Sequence, residues 1–157
     1  MDKGWRSGNG TPLSLADILE ALRAHGEANG RIYIGTDSYI EKNKCAFATA
    51  ICLHGAEGQR GGKYFFRKVY YKRQNFPSLV QRILREVHDS IEIALNISEH
   101  IPTARIELHL DVSPSHKNNG TSKISEMVTG YAKSSGFDCK IKPDAWASQS
   151  VADKHSK

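Results

Sequence analysis

RIYIGTDSYI at residues 31–40, CAFATAICL at 45–53 and KYFFRKVYY at 63–71 are the stretches whose reading decides the fold. The first alternates Ile32 and Ile34 with other residues, the second is small and mostly apolar, and the third is rich in aromatics. All three have strand character. The polar link Glu41 to Lys44 and the glycine-rich link Gly55 to Gly62 are short enough for hairpins. The sequence therefore predicts a three-stranded antiparallel meander.

Beyond the meander the period changes. Pro77 opens a long segment with Val80, Ile83, Leu84, Val87, Ile91, Ala94 and Leu95 on one helical face, running to about Ser98. Ala104 to Val112 then alternates Ile106, Leu108, Leu110 and Val112 with Arg105, Glu107, His109 and Asp111, which predicts a strand ending near Asp111. A helix over Thr121 to Ser135, a short strand over Phe137 to Ile141 and a final helix from Asp144 to about His155 complete the chain. Ahead of the meander, residues 11–26 carry Leu15, Ile18, Leu19 and Leu22 at helical spacing. Ser14 and Asp17 there resemble a capping box, and Gly26 is a plausible stop. The order α-β-β-β-α-β-α-β-α predicts an α/β fold with a mixed sheet covered on both faces.

Composition narrows the class. A chain of 157 residues is expected to form a single domain over 1–157, with the N-terminal helix at 11–26 and the core at 31–157. Cys45, Cys52 and Cys139 form no CxxC pair and are odd in number, which argues against a zinc knuckle or a disulfide framework. No run approaches a membrane span and the polar N-terminus lacks a signal-peptide core, so no membrane partner and a cytoplasmic location are expected. The formal charge of +5 favours an acidic partner.

Chemistry concentrates in the carboxylates. If the first and fourth predicted strands lie side by side and parallel, joined by the long helix, Asp37 and Asp111 emerge at one sheet edge. Alone, each also suits a strand-end Asx turn. Together they would repel unless one were protonated or a cation lay between them. Mg²⁺ or Mn²⁺ answers that repulsion, since a hard ion needs few carboxylates and leaves positions open for phosphate, and a two-metal site is possible. Glu86, beside the apolar stripe of the long helix, is expected to be partly buried and is a third candidate. Asp89 and Glu92 are expected to point towards solvent. Asp144, at the start of the last helix, is the fourth candidate, with an N-cap as its alternative role. Asp153 lies nine residues later, about 13 Å along an ideal helix, so Asp144 is preferred for its proximity to the strand end. His109 shares the parity of Asp111 and His116 lies in the following loop; both also suit structural roles. Ser38 and Ser113 neighbour the acids as turn or supporting hydroxyls.

Between Glu57 and Glu86 the sequence has no acidic residue, while Arg60, Lys63, Arg67, Lys68, Lys72, Arg73, Arg82 and Arg85 are basic. Arg67, Lys68, Lys72 and Arg73 are the candidate nucleic-acid-binding residues, and the loop Ser113 to Gly120 offers further phosphate contacts. The interleaved aromatics suit either base stacking or the core, and the need to fill an interior favours the core.

Gly35-Thr36-Asp37-Ser38, Leu108-His109-Leu110-Asp111-Val112-Ser113 and the ending Lys142-Pro143-Asp144-Ala145-Trp146 through Val151-Ala152-Asp153-Lys154 together resemble the bacterial YkuK-like family of ribonuclease H-related proteins. The resemblance spans Leu13 to Lys157. It implies a ribonuclease H-like fold with an extra N-terminal helix. It also implies catalytic residues Asp37, Glu86, Asp111 and Asp144, with Mg²⁺ or Mn²⁺ held by Asp37, Asp111 and Asp144, acting on the phosphodiester bonds of DNA, RNA or a hybrid. A non-catalytic nucleic-acid-binding protein and a protein-interaction domain are the alternatives.

Overall fold

In the computed structural model, which describes residues 3–114 and 124–157, the chain forms one six-stranded mixed sheet with helices on both faces. The elements in order are β1 (Trp5–Ser7), α1 (Leu15–Glu27), β2 (Arg31–Glu41), β3 (Lys44–His54), β4 (Lys63–Lys72), α2 (Leu79–His100), β5 (Ile106–His109), α3 (Ser125–Ser134) and β6 (Asp138–Lys140). A π-helical stretch, Ala147–Ala152, then runs into α4 (Asp153–Ser156). Among the described residues no helix is long and apolar enough to cross a membrane.

The expected meander is present. β2 pairs antiparallel with β3 from Arg31↔His54 to Glu41↔Lys44, and β3 pairs with β4 from Lys44↔Lys72 to Leu53↔Lys63. The turn between β2 and β3 is tight, with Lys42 in the left-handed region at φ 55°. The sheet order is β1-β4-β3-β2-β5-β6, so β5 lies beside β2 and runs parallel to it. β1 is an addition to the sequence reading: it pairs antiparallel with β4 through Trp5↔Arg67, Arg6↔Phe66 and Ser7↔Phe65. Three residues in a polar stretch leave no periodic signal.

Both long helices follow from their caps and stripes. Ser14 accepts from the Asp17 amide while Asp17 accepts from the Ser14 amide, the reciprocal box expected for α1. Ser78, one residue after Pro77, caps α2 by accepting from the Gln81 amide. The apolar faces of α1 and α2 close over one face of the sheet, burying Ile18, Leu22, Ile83, Val87, Ile91 and Ala94 against Ile32, Ile34, Ile51, Leu53, Phe65 and Leu108. Burying a side chain of this size is worth roughly 1.5–3 kcal/mol, so this layer is the main source of stability.

The C-terminal stretch covers the opposite face, with Ala147 and Ala152 packed on Ala50 and Cys52. Small residues on both sides allow backbone to approach backbone. A Cβ added at Gly35 would lie 2.4 Å from the Ser148 nitrogen and 2.6 Å from the Ala147 carbonyl carbon. Trp146 anchors the start of this stretch, its ring 5.0 Å from both Tyr33 and His109. His155 anchors its end, stacking on Phe66 at 3.7 Å while Tyr64 Oη lies 2.8 Å from its Nε2. The expected final helix is therefore partly π in character and begins at Ala147, later than Asp144.

Replacing Gly35 by alanine is expected to destabilise the protein by about 1–3 kcal/mol, because the intruding methyl meets backbone that has no rotamer to change. Urea unfolding of Gly35→Ala checks this: the midpoint should fall with little change in slope.

Candidate metal centre

The register of β2 against β5 sets the site. Gly35 lies opposite His109 in the parallel pair, and two residues further along each strand direction stand Asp37 and Asp111. The chains thus deliver both carboxylates to the same sheet edge, as parity in parallel strands requires. Glu86 reaches this edge from α2. Carboxylate oxygens of Asp37, Glu86 and Asp111 all lie within 4.8 Å of one another, close enough to share one cation.

Each acid is held by a neighbour. Glu86 is buried and its Oε2 accepts from Ser38 Oγ at 2.5 Å. Ser38 is fixed in turn by Arg82, whose Nε donates to Ser38 Oγ and whose Nη2 donates to the Ser38 carbonyl, both at 3.1 Å. Asp37 Oδ2 accepts from Ser156 Oγ at 2.9 Å. Asp111 pairs with Lys142 at 3.1 Å. Behind the site, Thr36 Oγ1 lies 2.9 Å from Thr49 Oγ1 and 2.7 Å from Ser90 Oγ, a buried hydroxyl chain tying β2 to β3 and α2.

The electrostatics follow from crowding. Burial, then the hydrogen bond and charge of Asp111, raise the Asp37 carboxyl to about 8. Burial lifts Glu86 well above the ordinary carboxylate range, with Asp37 and Asp111 adding to the rise and Ser38 and Arg82 opposing it. Acids buried this close to one another are also placed to hold a cation.

The fourth candidate stands apart from the other three. Asp144 sits in an exposed bend and is not among the acids gathered at the edge. Asp153 instead neighbours Asp37, adding the smallest of the contributions that raise its carboxyl, and its own carboxylate pairs with Lys157 at 3.4 Å. The reason is geometric. The C-terminal stretch crosses the sheet beside β2, from Trp146 at Tyr33 past Ser148 at Gly35 to Ser156 at Asp37. Ten residues of helix rise about 15 Å and four residues of strand about 13 Å, so the end of the helix, not its start, meets Asp37.

Of the remaining residues, His109 and Glu92 keep the readings the sequence favours and Asp89 does not. His109 is a structural residue: its Nδ1 accepts from the Ala147 amide at 3.0 Å and its Nε2 faces Glu107 at 2.9 Å. Burial pushes its pKa down. Asp89, expected at the surface, is buried and binds Arg85 at 2.8 Å, while Glu92 is exposed as expected. His116 and the rest of the loop after Pro114 lie outside the described residues.

Strand parity separates Arg67 from Lys68. Arg67 turns to the inner side with Phe65, its guanidinium 5.2 Å from the Trp5 ring. Lys68 faces the other way, donating to the Lys157 carbonyl at 3.3 Å. Lys72 and Arg73 line a cavity of about 770 Å³ together with Asn43, Gln74, Ser78 and Arg82, and no acid lines it. Arg82 belongs to both places, reaching from this basic cavity to the Ser38 that supports Glu86. Its role was not legible in sequence, where it is one of eight cations in a run.

The family described as ribonuclease H-like matches residues 14–157. The chain is also similar to the uncharacterised protein YkuK of Bacillus subtilis (strain 168), with 26% identity over 162 residues covering 92% of each chain. No solved structure gives a significant match.

Without a divalent cation, the raised Asp37 pKa makes the folded state bind a proton that the unfolded state has lost. Stability is therefore expected to be complete below about pH 4 as far as this group is concerned, and to fall progressively as the pH rises through about 8. Thermal melts in EDTA should show this fall, and Asp37→Asn should flatten it, raising the melting temperature at pH 8 by at least about 2–4 °C. Mn²⁺ should raise the melting temperature of the unaltered protein and not that of the variant.

Proposed function

Because the chain belongs to the ribonuclease H-like family, we propose that it is a divalent-metal-dependent nuclease hydrolysing phosphodiester bonds of nucleic acid. The observation that carries this reading is the convergence of Asp37, Glu86 and Asp111 within 4.8 Å at the end of two parallel strands, with the Asp37 carboxyl raised to about 8. In the reading, these three hold Mg²⁺ or Mn²⁺, and Asp153 takes the fourth position in place of Asp144. When bound, the ion supplies an activated water and neutralises charge on the leaving oxygen.

The remaining work falls to the chain itself. Ser38 and Arg82 fix the buried Glu86 in one orientation. Lys142, whose side chain is 35% exposed, leaves Asp111 at little cost when another cation arrives. Ser156 holds Asp37 from the side of α4. The basic cavity bounded by Lys72, Arg73 and Arg82 supports a polyanionic substrate whose backbone runs from the cavity towards Glu86.

Cleavage of labelled single-stranded, duplex and hybrid oligonucleotides in Mg²⁺ or Mn²⁺ tests the proposal. Asp37→Asn is expected to lower the rate by more than about 100-fold, and Ser38→Ala by about 10–100-fold through the loss of support for Glu86. Asp153→Asn should reduce cleavage and Asp144→Asn should leave it near the original rate. Turnover that survives Asp37→Asn, or salt-sensitive binding with no turnover on any substrate, would remove the nuclease assignment.

A further inference from the structure

Resting on that reading, we propose that the sheet face beside Asp37 binds single-stranded nucleic acid, with unpaired bases stacked on Tyr39 and Tyr70. Both rings are exposed, Tyr39 by 39% and Tyr70 by 57%, on a sheet whose other aromatics are largely covered. Pairing places them in one row: Tyr39 is opposite Ala46, and Ala46 is opposite Tyr70. Cross-strand partners share a face, so the two rings stand on the same side, about 10 Å apart across two strand spacings, with only the Ala46 methyl between them.

The row lies next to the acids. Tyr39 follows Asp37 by two residues and so shares its face, about 7 Å further along the strand. The preceding rows of this face are occupied: Trp146 lies against Tyr33, and His155 stacks on Phe66. The C-terminal stretch reaches Asp37 through Ser156 and Lys68 through Lys157. Ala46 between the two rings is buried, while Tyr39, Tyr70 and, in the row beyond, Glu41, Lys44 and Lys72 are exposed.

Charge supplies the occupant. Lys44 Nζ stands 5.7 Å and Lys68 Nζ 5.2 Å from the centre of the Tyr70 ring. Such contacts are weak when exposed, so a base can take the ring face and leave both ammonium groups to the phosphates on either side. Lys72 extends the positive charge to the basic cavity. A duplex hides its base faces in its own stack, whereas a single strand offers them, so aromatic rings set among lysines favour the single strand.

Fluorescence anisotropy in EDTA at low salt tests this, using 12-nucleotide oligo(dT), oligo(rU) and a blunt duplex of the same length. The single strands should bind at least about tenfold more tightly than the duplex. Tyr70→Ala and Tyr39→Ala should each weaken single-strand binding by about 5–100-fold without changing its salt dependence, and Tyr70→Phe should restore it. Lys68→Gln should instead reduce the slope of log affinity against log salt by about 0.7. Equal affinity of the Tyr→Ala variants and the unaltered protein, or tighter binding of the duplex, would overturn the proposal. Binding in EDTA is independent of turnover. An inert metal centre would leave this result standing, and cleavage of duplex unaffected by the tyrosine variants would keep the nuclease reading and remove this one.

Discussion

The parallel pairing of β2 with β5 is the constraint on which the rest depends. Its register, with Gly35 opposite His109, brings Asp37 and Asp111 out together at the same edge. Side chains alternate along a strand, so a slip of one residue would turn one aspartate to the other face and abolish the pair. That register is held from both sides of the sheet: Leu108 and Ile34 are locked into the layer under α2, and the His109 ring is fixed by the Ala147 amide and Glu107 on the other. The clustering of acids is thus sustained by the packing on both faces of the sheet.

How much of this was visible in the chain depended on whether the signal was periodic. The meander, the crossover by α2 and the convergence of Asp37 with Asp111 follow from alternation, glycine-rich links and topology, and they hold. Glu86 was legible because a carboxylate bordering an apolar stripe must be partly enclosed. The place of Asp153 beside Asp37 was not, because it turns on the direction in which the C-terminal stretch crosses the sheet. That direction is set by Trp146, Gly35 and His155, which meet only in the fold. Asp89 was misplaced for a related reason: a charge on a helix looks solvent-facing until its partner Arg85 and the nearby Arg67 are counted.

Arg67 and Lys68 show how one charged run divides its duties. Adjacent in sequence, they point to opposite faces of β4, so one joins Trp5 beneath α2 while the other faces the side that carries the acids. A count of positive charge cannot separate them; strand parity can. Arg82 adds a different lesson, since the same guanidinium borders the basic cavity and braces Ser38 against Glu86. Net charge in this protein is therefore partly structural and partly available to a ligand.

The short β1 also bears on how copies of the protein meet one another. Among the described residues it pairs with β4 only from Phe65 to Arg67, which leaves Lys68–Lys72 without a strand partner on that side. Free backbone donors and acceptors on such a strand invite pairing with a second chain, the first step towards fibrils. Lys68 and Lys72 sit on that length, and two copies pairing antiparallel about Tyr70 would set Lys68 against Lys72. The same lysines that could receive a polyanion thus keep the strand from finding itself.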